Sequence, residues 1–323
     1  MQSGGQMRFS FTRFKDRTSS SLYAASGWLS RQPAPVQKTG FAVLRGFFWL
    51  IYIVPGSHMR KTAVALCAAC GQTSPAAIYG QFVDGVLLFA ERIELLSRGR
   101  TDTIDRMLEI PRQDRLDAIV RQHRGAIVAL PHCLGALLMV RGLASRYDTL
   151  MLIREPKQEA RAAAQRRYFA NLGCDILDVR RSNEAVVARI VLKALRDGKL
   201  VIGAVDRIRE APPETEPVTK SRDTVRAHAF GKPVGAAGWP ARFAAKCKVP
   251  IVPVIVEQTP AAVILHLGEP VAASDVLSTT QAWLSALERL FIRFPGQWIF
   301  VYDKHWSRLL RNREAPRAPG PRK

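Results

Sequence analysis

The sequence predicts an α/β protein with a central mixed, largely parallel sheet flanked by helices, preceded by an apolar helical segment. Two observations carry that expectation. From about residue 115, short apolar runs bounded by Gly and Pro alternate with stretches of helical period, which favours one layered fold over separate α and β domains. Ahead of them, residues 41–54 form the most apolar stretch of the chain, closed by Pro55-Gly56.

Residues 1–40 are rich in Ser, Arg and Gln, with Asp16 the only carboxylate, and read as a flexible basic arm or a leader. The apolar stretch holds 14 residues with Arg45 among them. One bilayer span needs roughly 20. Its length suits instead an interfacial or re-entrant helix, with Trp49 and Tyr52 placed for the headgroup zone and Arg60 and Lys61 just beyond. A buried core helix is the alternative. Residues 61–98 read as helical and rich in Ala and Leu, so residues 41–110 form an N-terminal helical, membrane-associating region.

Residues 111–306 then form the α/β domain. Strands are expected over 125–130, 149–153, 200–205, 249–256 and 262–267. The prolines of the fourth push it toward a sheet edge or a bulge. Helices are expected over 157–172, ended by Gly173, and over 186–195, capped by Ser182 or Asn183 and closed by Gly198. A third starts from Thr279 as cap and runs through Phe291. Residues 207–224, with three prolines, read as a mobile surface loop, and residues 307–323 as a solvated basic tail.

Composition narrows the functional classes. The 323 residues are 47% hydrophobic, which excludes wholesale disorder, and no uncharged apolar run is long enough for a polytopic membrane protein. A net charge of +21 favours an anionic partner: a membrane surface, a nucleic acid or an acidic carrier protein. The basic residues are spread along the chain and no nucleic-acid-binding motif accompanies them, so nucleic acid is not the expected partner. Five scattered cysteines read as reduced thiols, and Cys67 and Cys70 as small apolar helix residues. Signatures of P-loop, dinucleotide-binding, α/β-hydrolase and zincin chemistry are missing from the sequence, and no histidine pair has metal-ligand spacing. No cofactor is expected.

Three strand ends carry the chemistry. His132 follows the strand over 125–130, Arg154-Glu155-Pro156 follows that over 149–153, and Asp206 follows that over 200–205. If these strands are parallel, a base, a cation and two carboxylates converge on the edge where open α/β sheets place their ligands. That set supplies a general base in His132, an orienting carboxylate in Asp206 or Glu155, and an anion clamp in Arg154.

Several blocks in order resemble the lipid A late acyltransferase (lauroyl/myristoyl transferase) branch of the glycerolipid acyltransferase superfamily, as a divergent member. They are Arg60-Lys61 after the apolar segment, the strand leading to His132, Arg154-Glu155-Pro156 and Arg181-Ser-Asn183. Val205-Asp206, Ala229-Phe-Gly231-Lys232-Pro, Gly238-Trp-Pro and the closing Pro295-Gly-Gln-Trp298 continue the series, which spans about 41–306. The resemblance implies an enzyme at the cytoplasmic face of a bacterial inner membrane. Such enzymes move a fatty acyl group from an acyl carrier protein or coenzyme A thioester to a lipid acceptor. It also implies substrate contacts from Arg154, Arg181, Gly231 and Lys232. The family hallmark is His, four residues, then Asp or Glu. Here that position is Leu137, so either another strand end supplies the acid or the protein is a non-catalytic lipid- or carrier-binding relative.

Overall fold

A computed structural model describes residues 28–29, 31–156, 158–214 and 223–311. The expectations for most of the N-terminal arm, for residues 215–222 of the long loop and for residues 312–323 of the tail lie outside the described residues. The first helix whose bounds are described is α1 (Ala34–Ile53), which is bent by 78° against α2 (His58–Ala69). No single described helix is long and apolar enough to cross a membrane; the α1–α2 pair taken together passes by length and composition. One face of α1 packs Leu44, Phe48, Trp49 and Tyr52 into a small cluster with Tyr79, Phe82 and Val83 of α3 (Pro75–Ser97). Its other face leaves Val43, Phe47, Leu50 and Ile53 exposed. Arg45, the charge inside the apolar stretch, pairs with Asp84 at 2.7 Å.

The helical residues expected over 61–98 fall into two helices. Gly71, at φ +64°, takes the chain out of α2 in a conformation that costs other residues strain, and the Ser74 side chain accepts the Ala77 N–H to start α3. A short α4 (Thr101–Asp105) leads to β1 (Leu108–Glu109) and α5 (Gln113–His123). Alternation follows: β2 (Ala126–Leu130), α6 (Ala136–Ala144), β3 (Thr149–Ile153), α7 (Glu159–Phe169), β4 (Asp175–Asp178), α8 (Glu184–Arg196) and β5 (Leu200–Ala204). Asn183, one of the two caps considered, accepts the Val186 N–H. The hairpin β6 (Thr224–Ala229) and β7 (Lys232–Ala237) precedes α9 (Trp239–Cys247), β8 (Ile251–Gln258), β9 (Val263–Leu267), α10 (Val276–Arg293) and α11 (Lys304–Arg311).

Seven strands form one sheet in the order β1-β9-β8-β2-β5-β3-β4, parallel throughout except for β8 against β9; β6 and β7 pair separately. The mixed, mostly parallel sheet is as expected. Sequence reading missed β1, β4, β6 and β7, of which β1 and β4 are short edge strands without an apolar run.

Three further expectations are corrected. β8 lies inside the sheet, not at its edge. The Ile127 N–H bonds to Pro250 O, and the Gly268 N–H to Pro253 O, so the donor that Pro253 lacks falls where β9 ends, and the pairing with β2 is intact. The cap of α10 is Asp275, which accepts the Ser278 N–H at 2.9 Å; Thr279 lies buried one turn inside and accepts the Ser274 N–H. The start of the supposed tail is α11, which buries Trp306, Ser307 and Leu310.

Candidate active site

The site grows from one register. β2 and β5 are parallel neighbours whose last pair is Leu130 and Ala204, so residues two beyond each strand end lie side by side. They are His132 and Asp206. His132 Nδ1 lies 2.6 Å from Asp206 Oδ1, and the His132 backbone N–H donates to Oδ2 at 3.0 Å. The Trp298 indole N–H also donates to Oδ2 at 3.0 Å, and the Trp306 indole N–H donates to the Asp206 carbonyl at 2.6 Å. The Asp206 side chain is fully buried, while that of His132 is 39% exposed. A carboxylate only accepts, so Nδ1 carries the ring proton and Nε2 is the basic nitrogen.

The loop bearing His132 is stitched to the segment after α10. The Leu134 N–H bonds to Gln297 O and the Ile299 N–H to His132 O, both at 3.0 Å, and Cys133 bridges to Trp298. Gly135 turns the chain into α6 at φ +79°, where a Cβ would sit 2.8 Å from Gln258 Cγ, so a side chain here is excluded twice over. Trp298 itself stacks on Phe291, with ring centroids 3.8 Å apart.

His132 lines a cleft of about 2890 Å³ along the C-terminal edge of the sheet. Leu130, Ala136, Leu137, Ile153 and Phe243 give it apolar wall, and Arg154, Arg180, Arg207, Arg209 and Arg242 give it positive charge. Asp223 also faces this cleft. Burial pushes its carboxyl above the ordinary range, against the opposing pull of Arg242, Arg209 and Arg154.

Cys133, the thiol beside His132, is not poised as a nucleophile. It is buried, and burial pushes its thiol up to about 12. Cys133→Ala is therefore expected to leave any turnover at this site within about threefold of wild type; a drop of two decades or more would assign the sulfur a covalent role.

The other expected site residues divide. Arg154 faces the cleft. Glu155 does not orient His132: its carboxylate pairs with Arg166 at 2.6 Å and Arg181 at 3.1 Å. The reason is sheet order, since β3 is separated from β2 by β5 and Glu155 leaves the sheet two strand spacings away, about 9.6 Å. Arg181 is occupied by that pair, and its neighbour Arg180 lines the cleft instead. Gly231 and Lys232 are not in the His132 cleft. Gly231 forms the hairpin turn with Phe230, at φ +72° and +50°, and the Lys232 ammonium donates to Leu309 O at 2.6 Å beside α11. Trp298 and Trp306 are buried, and no expectation was attached to their indole N–H groups. A buried indole needs an acceptor, and that was the available signal.

The site is thus an imidazole held by a buried carboxylate, in an apolar cleft rimmed with arginines. The family model for bacterial lipid A biosynthesis acyltransferase matches residues 81–306. The chain belongs to that family, whose members are membrane-associated and use an acyl donor and a lipid acceptor. No curated protein matches the chain.

Proposed function

We propose that this protein transfers a fatty acyl group from a carrier-protein or coenzyme A thioester to a lipid hydroxyl, with His132 as general base and Asp206 as the acid that orients it. The observation that carries the reading is the 2.6 Å contact between His132 Nδ1 and Asp206 Oδ1, which supplies from β5 what Leu137 does not supply from α6. The acceptor hydroxyl gives its proton to Nε2 as its oxygen attacks the thioester carbonyl carbon. The tetrahedral intermediate collapses with cleavage of the C–S bond, and the departing thiolate takes the proton back from the imidazolium, so charge and atoms balance. Asp206 stabilises the transient imidazolium without being protonated. Arg154, Arg207 and Arg242 bind the anionic groups that both substrate classes carry, and the apolar wall around Leu137 receives the acyl chain. The exposed apolar face of α1 holds this cleft at the bilayer boundary, at the cytoplasmic side where thioesters are available.

The test uses the full chain in phospholipid vesicles with an acyl-carrier-protein thioester, or the coenzyme A thioester, and a lipid A precursor. Equal amounts of free thiol and acylated lipid, read by thiol titration and mass spectrometry, are the expected products. Retention of both substrates without turnover would leave a lipid- or carrier-binding protein on the same scaffold.

A further inference from the structure

Lys232 and the basic pair Arg60-Lys61 belong to a second cavity. It is a groove of about 620 Å³ that shares no lining residue with the His132 cleft. Its rim is cationic, from Arg60 and Lys61 of α2, Lys232 of the hairpin and Arg311 of α11, and no carboxylate lines it among the described residues. Its floor is apolar, from Val64, Ala65, Phe230 and Leu310. Such a volume lies within the range of small-ligand sites.

We infer that this groove binds the headgroup of an anionic phospholipid of the surrounding bilayer, with the phosphate on the cationic rim and the start of an acyl chain on the apolar floor. The position argues for lipid. In the second half of α1 and its cap, exposed apolar residues run from Val43 to Val54, and the groove begins two residues later at Gly56. At 1.5 Å per residue that face is about 16 Å long, close to half the hydrocarbon core. With α1 lying along the interface on this face, the turn at Gly56 falls at headgroup depth. Lys61 sits over that turn, its ammonium 3.9 Å from where a Gly56 Cβ would be. Lys232 is held in place by Leu309 O, and Arg311 by Ser307 O at 2.9 Å, so two of the four cations are preset. Phe230, at the inner wall, stacks over Trp298 with centroids 6.2 Å apart, so the groove reaches the support of Asp206 without opening into its cleft.

The experiment is flotation of the full chain with phosphatidylcholine vesicles, with and without phosphatidylglycerol, scored as binding and thus independent of turnover. Arg60→Ala/Lys61→Ala is expected to weaken partition onto the anionic vesicles by about thirtyfold, from roughly fivefold per lost cation. Arg121→Ala/Arg189→Ala removes the same charge from exposed helix positions away from the groove and is expected to lose less than threefold. Ala68→Trp fills the groove from an exposed position with every cation kept, and should abolish the preference for phosphatidylglycerol. Equal losses in the two double variants would reduce the effect to diffuse charge and overturn the site. Unchanged selectivity in Ala68→Trp, or displacement by inorganic phosphate alone, would overturn the lipid assignment. So would an Arg60→Ala/Lys61→Ala variant that binds vesicles normally but has a raised KM for the carrier-protein thioester, because the groove would then be a carrier-protein dock.

Discussion

Asp206→Asn is expected to lower kcat by about 10³–10⁴ with a much smaller change in KM. The carboxylate accepts three donors at once: the His132 ring, the His132 backbone N–H and the Trp298 indole. An amide offers one acceptor oxygen and places an NH₂ against donors, so at least one of them loses its partner and the imidazole is no longer held with Nε2 basic. The same substitution destabilises the fold, because an unsatisfied buried donor costs about 1–3 kcal/mol. Kinetics at a temperature well below the unfolding midpoint separate the two effects. His132→Ala removes the base itself and should abolish turnover to a similar or greater extent. His132→Ala/Asp206→Asn should then be no slower than His132→Ala, since residues acting as a unit are not additive. An Asp206→Asn enzyme within tenfold of wild type would remove Asp206 from the mechanism.

Trp298→Ala is expected to cost about 3–5 kcal/mol of stability, the range for emptying a buried aromatic site. Trp298 is fully buried, stacks on Phe291 with ring planes 5° apart and meets Trp306 edge-on at 4.7 Å. Trp298→Phe is the informative partner. It retains most of the stacking and removes only the indole N–H, so unfolding should shift by a small part of the alanine effect. Its kcat should nonetheless fall about tenfold, because Asp206 Oδ2 loses the donor that fixes its rotamer. Chemical unfolding together with steady-state kinetics reads both. A Trp298→Phe protein with wild-type kcat would make the tryptophan a packing residue only.

Asp206 and Glu155 were indistinguishable as orienting acids before the sheet order was known, since each follows an apolar strand by one or two residues. Their fates differ because β5 is the hydrogen-bonded neighbour of β2 and β3 is not. Lys232 shows the same limit. A glycine after Phe230 favours a turn there, but which cavity the turn faces depends on α11, a helix hidden in a segment that composition marks as basic and proline-rich. The misplacement of β8 has a local cause: Pro253 is a sound edge signal, overridden because its missing donor coincides with the end of β9.

Periodicity, glycine and proline punctuation, and charge determined the parallel α/β class, the five long strands, the apolar segment at α1 and the presence of His132 and Asp206 at strand ends. These are local properties, set by which side chains suit a buried strand or a helix face. Tertiary structure decided which acid meets the imidazole, which indoles hold that acid, and that the cations of α2 and α11 ring a groove of their own. Those are relations between residues 100 positions apart, as for Trp306 and Asp206, or further, as for Arg60 and Arg311, and they depend on strand order and helix docking that no single window of sequence contains.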